Sequence, residues 1–326
     1  MIKPKVGFLG TGWIGRHRME AALATGAIEA AAVCDPSPEC AAEAMKLAPD
    51  AMQATSFQEL LAQDLDGIVI ATPSALHAEQ SIAALERGMA VFCQKPLGRD
   101  AAEAQAVIDA ARNADRLLSV DFSYRYTAAA RALGEQLRNG RIGQPFAADL
   151  VFHNAYGPDK PWFYDRAQSG GGCVMDLGVH LVDLLLWLLD FPEVVNVSST
   201  LLAGGKPVGG DAVEDYAVAT LTLANGVVAR LACSWRLHAG QEAVIEASLY
   251  GTGGGASLHN VGGSFYDFEA RRLAGTSSET LVSPPDDWGG RAAAAWAEQL
   301  ARDTGFDPAA ERLVDVAKVL DRIYAG

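Results

Sequence analysis

Residues 6–15, Val6-Gly7-Phe8-Leu9-Gly10-Thr11-Gly12-Trp13-Ile14-Gly15, place a G-x-G-x-x-G spacing between a short apolar run and a helical pattern. In that context Gly10 allows a tight turn, Gly12 lets the backbone approach a diphosphate, and Gly15 lets the helix pack closely on the strand. Free N–H groups at the start of a helix attract an anion. The stretch therefore predicts a strand-turn-helix unit that binds a dinucleotide through Gly10, Thr11, Gly12, Trp13, Ile14 and Gly15.

An acidic residue follows this turn where the ribose of a dinucleotide would need it. Asp35 lies 20 residues after Gly15, at the end of the next predicted strand. A carboxylate there accepts hydrogen bonds from ribose hydroxyls and repels a 2′-phosphate. No Arg or Lys follows in Pro36-Ser37-Pro38, so the sequence favours NAD over NADP. The weaker interpretation, a tight turn and an exposed loop Asp, leaves the paired spacing unexplained.

Around this unit, the first 120 or so residues alternate short apolar runs with longer helical patterns. This alternation is typical of stacked βαβ units and a parallel sheet. Amphipathic helices are predicted at 76–87 and 101–114. Strands are predicted at 6–10, 30–34, 67–71, 90–93 and 117–120.

After residue 122 the pattern changes to closely spaced strands, which favours antiparallel pairing. The sequence therefore predicts an α/β protein with a dinucleotide-binding domain at 1–122. A second, α+β domain at 123–326 surrounds a large, mainly antiparallel open sheet, and an irregular segment is expected at 273–290. Helices are predicted at 128–138, 173–189, 291–302 and 308–324, and strands at 146–153, 194–202, 216–223, 227–235, 244–250 and 264–268.

Composition excludes several classes of partner. Lys and Arg number 26 against 40 Asp and Glu, a net charge of −14, which argues against a nucleic-acid surface and a polybasic membrane patch. The five cysteines are scattered without zinc-type spacing, and His153, His238 and His259 have no acid or cysteine at ligand spacing, so no metal site is predicted. With no predicted signal peptide or membrane span, we expect a cytoplasmic protein that acts on a small molecule.

Two further segments carry groups suited to acid–base chemistry. Lys95 follows a strand at the carboxyl edge of the predicted parallel sheet, where ligands bind in open α/β sheets; a solvated surface lysine is the alternative. Asp176 and His180 are spaced i and i+4 after three glycines, with Asp183 three residues further on. The rest of that helix is apolar and must be buried, so the aligned polar groups indicate a site rather than a core histidine with satisfied hydrogen bonds.

Four segments together resemble the glucose-fructose oxidoreductase / inositol dehydrogenase (Gfo/Idh/MocA) family over essentially the entire chain. They are GFLGTGWIGRHR with Cys34-Asp35-Pro36, Ala71-Thr72-Pro73-Ser74 followed by His77, the pair Lys95-Pro96, and GGGCVMDLGVH, which ends in His180. The resemblance implies a Rossmann domain, a C-terminal domain whose open sheet often forms an oligomer interface, and NAD(P)-dependent oxidation or reduction of a sugar, polyol or related molecule. An exposed face of the predicted second-domain sheet would need covering, so we expect a homodimer or homotetramer.

The resemblance also implies roles for individual residues. The family's catalytic lysine, aspartate and histidine fall on Lys95, Asp176 and His180, which also face the substrate. The family's acidic residue before Lys-Pro is Gln94 here, which removes a charge beside the lysine. Cofactor contacts are expected from Ala71, Thr72, Pro73, His77 and Lys95, with a helix-capping role as the alternative for His77, and substrate contacts from Tyr124, Arg125, Trp162 and Arg166.

The sequence leaves two other functions open. Some relatives of the family use bound NAD transiently to hydrolyse glycosides, and such an enzyme would release no NADH. A cofactor-loaded sensor or co-repressor would keep the fold without turnover, although a pure binding module has no need for Lys95, Asp176 and His180.

Overall fold

The computed structural model describes residues 3–326, which form two compact units. Unit 1 comprises residues 3–123 and Gly289–Val314, and unit 2 comprises Tyr124–Trp288 and Asp315–Gly326. The division that the sequence predicts, after residue 122, lies one residue from the first crossing between the units. The return of Gly289–Val314 to unit 1 is not among the predictions.

Unit 1 contains a parallel sheet of six strands in the order β3-β2-β1-β4-β5-β6. The predicted parallel α/β architecture is confirmed. Each of the five predicted strands is present with its bounds shifted by a residue or less. The pattern does not predict β3, because three residues are too few to show a periodicity. The strands are β1 (Lys5–Leu9), β2 (Glu29–Cys34), β3 (Met52–Ala54), β4 (Gly67–Ile70), β5 (Ala90–Cys93) and β6 (Leu118–Val120).

Helices pack against both sheets. Three helices of unit 1 begin where a side chain accepts a hydrogen bond from a free backbone N–H group: Asp100, for example, accepts from the Glu103 N–H at the start of the fifth helix. In chain order the helices are α1 (Trp13–Ala24), α2 (Pro38–Met45), α3 (Phe57–Leu61), α4 (His77–Leu85), α5 (Ala101–Ala114), α6 (Ala128–Arg138), α7 (Arg166–Ser169), α8 (Val179–Leu188), α9 (Arg291–Leu300) and α10 (Leu313–Ala325).

Packing explains why α9 belongs to unit 1. Gly290, just before α9, lies so close to α1 that a Cβ there would be 2.4 Å from Ala21. The Trp296 ring lies 5.8 Å from the Phe92 ring of β5 and is fully buried. A segment distant in sequence therefore completes the core of the N-terminal sheet.

Unit 2 contains a nine-stranded sheet in the order β15-β14-β13-β12-β7-β11-β10-β8-β9. Its strand pairs are antiparallel except for β7 and β11, which run parallel. The predicted, mainly antiparallel sheet is thus confirmed. The strands are β7 (Pro145–Asn154), β8 (Val194–Ala203), β9 (Lys206–Pro207), β10 (Tyr216–Leu223), β11 (Val228–Ser234), β12 (Ala243–Gly251), β13 (Gly254–Asn260), β14 (Phe268–Ala274) and β15 (Ser277–Val282).

Two predictions in this sheet are wrong. The predicted strand at 264–268 is a turn as far as Asp267, because the Ser264 hydroxyl accepts the N–H groups of Tyr266 and Asp267, and β14 begins only at Phe268. The predicted irregular segment at 273–290 includes β15, an edge strand whose sequence Ser-Ser-Glu-Thr-Leu-Val is mostly polar. Polar edge strands lack the apolar alternation on which strand prediction depends.

The predicted helix at 173–189 is present, but its first turn is π-helical, over Val174–Gly178, before α8 begins. By length and composition the stretch Arg166–Leu188 could cross a membrane, yet 89% of its most apolar part is buried inside the protein. Such burial is typical of a core helix.

Candidate functional site

The predicted cofactor residues of unit 1 lie along one edge of its sheet. Backbone hydrogen bonds continue beyond the strand ends: the Gly10 N–H donates to Cys34 O, and the Ala71 N–H donates to Leu9 O. The Gln94 N–H likewise donates to Ile70 O. The glycine-rich turn, the Ala71-Thr72-Pro73 segment and Lys95 therefore share the carboxyl edge, where open parallel sheets bind ligands.

The glycine-rich turn has the shape that a dinucleotide requires. Gly10 has φ +78°, and a Cβ there would lie 2.6 Å from Ala71 O. A Cβ at Gly15 would lie 1.9 Å from Gly10 O, so only glycine permits this contact between turn and helix. A Cβ at Gly12 would have no atom within 4 Å, and no side chain caps the start of α1 at Trp13. The turn thus fits a bound diphosphate.

Asp35 lies beside this turn. Its Oδ2 accepts the Thr11 N–H at 2.5 Å, and its Oδ1 accepts the Ser37 N–H at 2.8 Å. These bonds hold the carboxylate at the end of β2, next to the turn. Next to the same turn, Trp13 and Ile14 expose apolar surface. A fixed carboxylate at this position suits ribose hydroxyls and disfavours a 2′-phosphate.

His77 connects the loops that follow β4 and β5. Its Nδ1 lies 2.6 Å from Pro96 O and its Nε2 lies 2.7 Å from Thr72 O, and the ring is almost completely buried. Burial lowers the pKa of His77, although both carbonyl contacts oppose that change. The structure shows His77 holding Thr72 and the Lys95-Pro96 segment through their backbones, at the start of α4.

In unit 2, Asp176 lies in the π-helical turn and His180 lies one turn further on, in α8. Asp176 Oδ2 accepts the indole N–H of Trp235 at 3.0 Å. The His180 ring meets the Tyr124 ring edge to face, with centroids 4.8 Å apart. Single π-helical turns occur often at functional sites. The structure therefore gathers three predicted residues, Asp176, His180 and Tyr124, in one unit.

A buried carboxylate that the sequence analysis does not identify anchors the glycine-rich loop before this turn. Glu214 Oε1 accepts the N–H groups of Gly172 and Val174, each at 2.9 Å, and the Tyr324 hydroxyl at 2.8 Å. Burial raises the pKa of Glu214, while these hydrogen bonds lower it. Glu214 lies 42 residues from Gly172, so no local spacing signals the contact.

Arg125, a predicted substrate contact, forms a bidentate ion pair with Asp183. Its guanidinium also lies over the Phe191 ring, 5.3 Å from the centroid. Burial raises the pKa of Asp183 to about 6, against the opposing effect of Arg125. The ion pair fastens the residue next to Tyr124 onto α8. That Arg125 contacts the substrate remains a prediction.

The two predicted loop residues have different neighbours. The Trp162 ring stacks on the Phe163 ring, with centroids 3.8 Å apart. The Tyr164 ring of the same loop lies 5.5 Å from the ring of Trp235, the residue that donates a hydrogen bond to Asp176. The Arg166 guanidinium instead lies over the Tyr324 ring, 5.6 Å from its centroid.

The described residues 3–326 contain no cluster of three His, Cys, Asp or Glu side chains that could hold a metal ion. The five cysteines are free thiols. Burial raises the pKa of Cys93 to about 12 and that of Cys173 well above its usual value. These two thiols are therefore protonated at neutral pH and are poor nucleophiles.

Both units are similar to known protein families. Residues 4–122 match the model of the oxidoreductase family with an NAD-binding Rossmann fold, and residues 130–257 match the GFO/IDH/MocA C-terminal domain. Among solved structures, levoglucosan dehydrogenase in complex with NADH superposes with a TM-score of 0.84 at 23% identity, over 99% of this chain and 96% of that one. This likeness concerns the fold.

Two curated relatives are similar in sequence. Inositol 2-dehydrogenase of Agrobacterium fabrum is 30% identical over 260 residues, which are 78% of this chain and 73% of that protein. The 1,5-anhydro-D-fructose reductase of Ensifer adhaerens is 35% identical over 179 residues. That match spans about half of each protein, 54% of this chain and 53% of the reductase.

Proposed function

This chain belongs to the GFO/IDH/MocA family of oxidoreductases, and from that membership we propose that it transfers a hydride between a nicotinamide cofactor and the hydroxyl or carbonyl group of a sugar, polyol or related small molecule. The observation that carries the proposal is the shared carboxyl edge of unit 1, which holds the glycine-rich turn, Asp35 and Lys95. The substrate class follows the names of the relatives, which act on inositol and an anhydro sugar.

The cofactor, when bound, supplies the two-electron acceptor. The turn at Gly10–Gly15 and the start of α1 bind its diphosphate, and Asp35 binds its ribose hydroxyls and selects NAD over NADP. His77 keeps Thr72 and Pro96 in place, so the loops after β4 and β5 stay preorganised.

The remaining roles concern the substrate. His180 takes the hydroxyl proton as general base, and Asp176, which accepts a hydrogen bond from Trp235, orients the imidazole. Lys95 donates a hydrogen bond to the substrate oxygen and stabilises the negative charge that develops there. In the alternative assignment Lys95 moves the proton. The pH dependence of kcat in variants of Lys95 and of His180 would distinguish the two assignments.

The deciding experiment measures NADH formation by absorbance, with NAD or NADP and a panel of aldoses, inositols, anhydro sugars and sugar acids. We expect NAD-dependent turnover, and Lys95→Ala should lower kcat at least about a hundredfold, the usual scale for lost acid–base help. Near-normal turnover by Lys95→Ala would remove Lys95 from the mechanism. Glycoside hydrolysis without NADH release would identify the redox-neutral glycosidase. NADH binding with no turnover of either kind would favour the sensor.

We also propose that the protein is a cytoplasmic homodimer or homotetramer. Along β7 (Pro145–Asn154) buried residues alternate with partly exposed ones, so the sheet of unit 2 has a second face that is only partly covered by its own chain. A second copy would cover such a face and its apolar side chains. The free thiols suit a reducing compartment. Light scattering coupled to gel filtration gives the mass in solution, and a monomer would contradict the proposal.

A further inference from the structure

Asp121, at the end of β6, carries a carboxylate that is fully buried. Its Oδ2 accepts a hydrogen bond from Arg18 Nε and another from Gln94 Nε2, each at 2.5 Å. Arg18 lies on α1 and is itself almost completely buried. The carboxylate thus joins the helix that follows the glycine-rich turn to the residue that precedes Lys95.

The amide of Gln94 uses both of its ends in this arrangement. Its nitrogen donates to Asp121, and its Oε1 accepts the backbone N–H of Lys95 at 3.2 Å. An amide can donate on one side and accept on the other, whereas an ionised glutamate has no donor. An amide at residue 94 therefore fits a carboxylate at residue 121, and an ionised glutamate there does not.

Charge balance leads to the same conclusion. The buried group contains one cation, Arg18, and one anion, Asp121. Among residues 3–326, Asp121 Oδ1 has no hydrogen-bond partner, so the carboxylate is already incompletely compensated. A second carboxylate at the half-buried residue 94 would put another anion against the buried Asp121, which is unfavourable.

We propose that Asp121 is a positioning residue for Lys95, that it acts through Gln94 and is neutralised by Arg18, and that residues 94 and 121 form a matched pair. The role of Lys95 rests on the function proposed above. The contacts among Arg18, Gln94 and Asp121 do not depend on that function.

The test is a double-mutant cycle in the full chain with Gln94→Glu, Asp121→Asn and the combined variant. Each single variant should lower kcat about tenfold, the effect of one lost hydrogen bond to a charged group, with KM and the NADH dissociation constant nearly unchanged. The combined variant should recover most of the loss, because the amide introduced at position 121 can donate to the carboxylate introduced at position 94, and Arg18 still faces a single anion. Gln105→Glu is the matched control, since Gln105 also donates to an aspartate, Asp109, but on the surface of α5, and its kcat should not change.

Gln94→Met provides the same test without a buried charge, should the charged variants fold poorly. Hydrogen exchange of the Lys95 amide reports on positioning without any substrate, and we expect faster exchange in Gln94→Met. The proposal would be overturned if Gln94→Glu and Gln94→Met kept the wild-type kcat and the wild-type exchange rate of the Lys95 amide. It would also be overturned if the losses of kcat in the single variants simply added in the combined variant. A wild-type protein that turns over no substrate but shows the expected exchange would refute the proposed function alone.

Discussion

Trp235 and Asp176 show how strongly a single contact can define the candidate site. The indole N–H of Trp235 is directed at Asp176 from the end of β11, and the aromatic loop with Trp162 and Tyr164 packs around the same indole. Replacing the donor leaves a charged acceptor with one bond fewer, while the ring can keep most of its packing. Trp235 therefore links the loop that we expect to contact substrate to a proposed catalytic residue.

We expect Trp235→Phe to lower kcat about tenfold, because the lost hydrogen bond holds Asp176 in place. KM should change less, since the aromatic packing is retained. Steady-state kinetics on the best substrate measures both constants. Trp296→Phe, in the core of unit 1, is the control and should alter stability rather than kcat. Equal kinetic effects in both variants would remove Trp235 from the site.

Among the elements, the π-helical turn at Val174–Gly178 and α8 depend on the glycine-rich loop that precedes them. Glu214 closes the start of this turn from a different strand connection, and Gly172 lets the two backbones approach. A Cβ at Gly172 would lie 1.9 Å from Glu214 O, a distance that no side chain tolerates. The element that carries Asp176 and His180 is thus placed by a close backbone contact.

Gly172→Ala should reduce the free energy of unfolding by about 2 kcal/mol or more, because the backbones must separate to admit the methyl group. Urea unfolding measures this change. Gly209→Ala is the matched control, since nothing lies within 4 Å of a Cβ at that position, and its free energy of unfolding should change by less than about 0.5 kcal/mol. A Gly172→Ala variant as stable as the control would contradict the close contact.

For the entire chain, buried ionisable groups couple folding to pH. Asp183 is buried beside Arg125, and its pKa is raised to about 6, while in the unfolded chain it has the usual value of 3.8. Between these two values the folded state keeps a proton that the unfolded state releases. The free energy of unfolding therefore decreases as pH rises from about 4 to about 6 and then levels off.

Asp183→Asn removes this group from the titration. The wild-type stability relative to the variant should decline over that pH range by an amount on the order of 2 kcal/mol. Urea unfolding of both proteins at half-unit pH intervals gives the difference. Glu214, whose pKa is also raised, titrates in both proteins and cancels in the subtraction. A difference that stays constant or increases with pH would show that Asp183 is not held as a buried acid.

Signals confined to neighbouring residues could be predicted from the sequence. The G-x-G-x-x-G spacing, Asp35 and the alternation of apolar runs predict the parallel sheet and its dinucleotide turn, because turn geometry and periodicity are local properties of the chain. The i, i+4 spacing places Asp176 and His180 on one helical segment. The polar edge strand β15 and the three-residue β3 lack a local signal, and they do not emerge from the pattern.

The partners of the site residues depend on folding. Asp121 and Arg18 are 103 residues apart, Trp235 and Asp176 are 59 apart, and Tyr324 reaches Glu214 across 110 positions. No periodicity records such distances, because a hydrogen bond between separate segments depends on how the strands and helices pack. The residue types suited to the chemistry could therefore be predicted from the sequence, whereas the groups that hold them in place are known only from the folded chain.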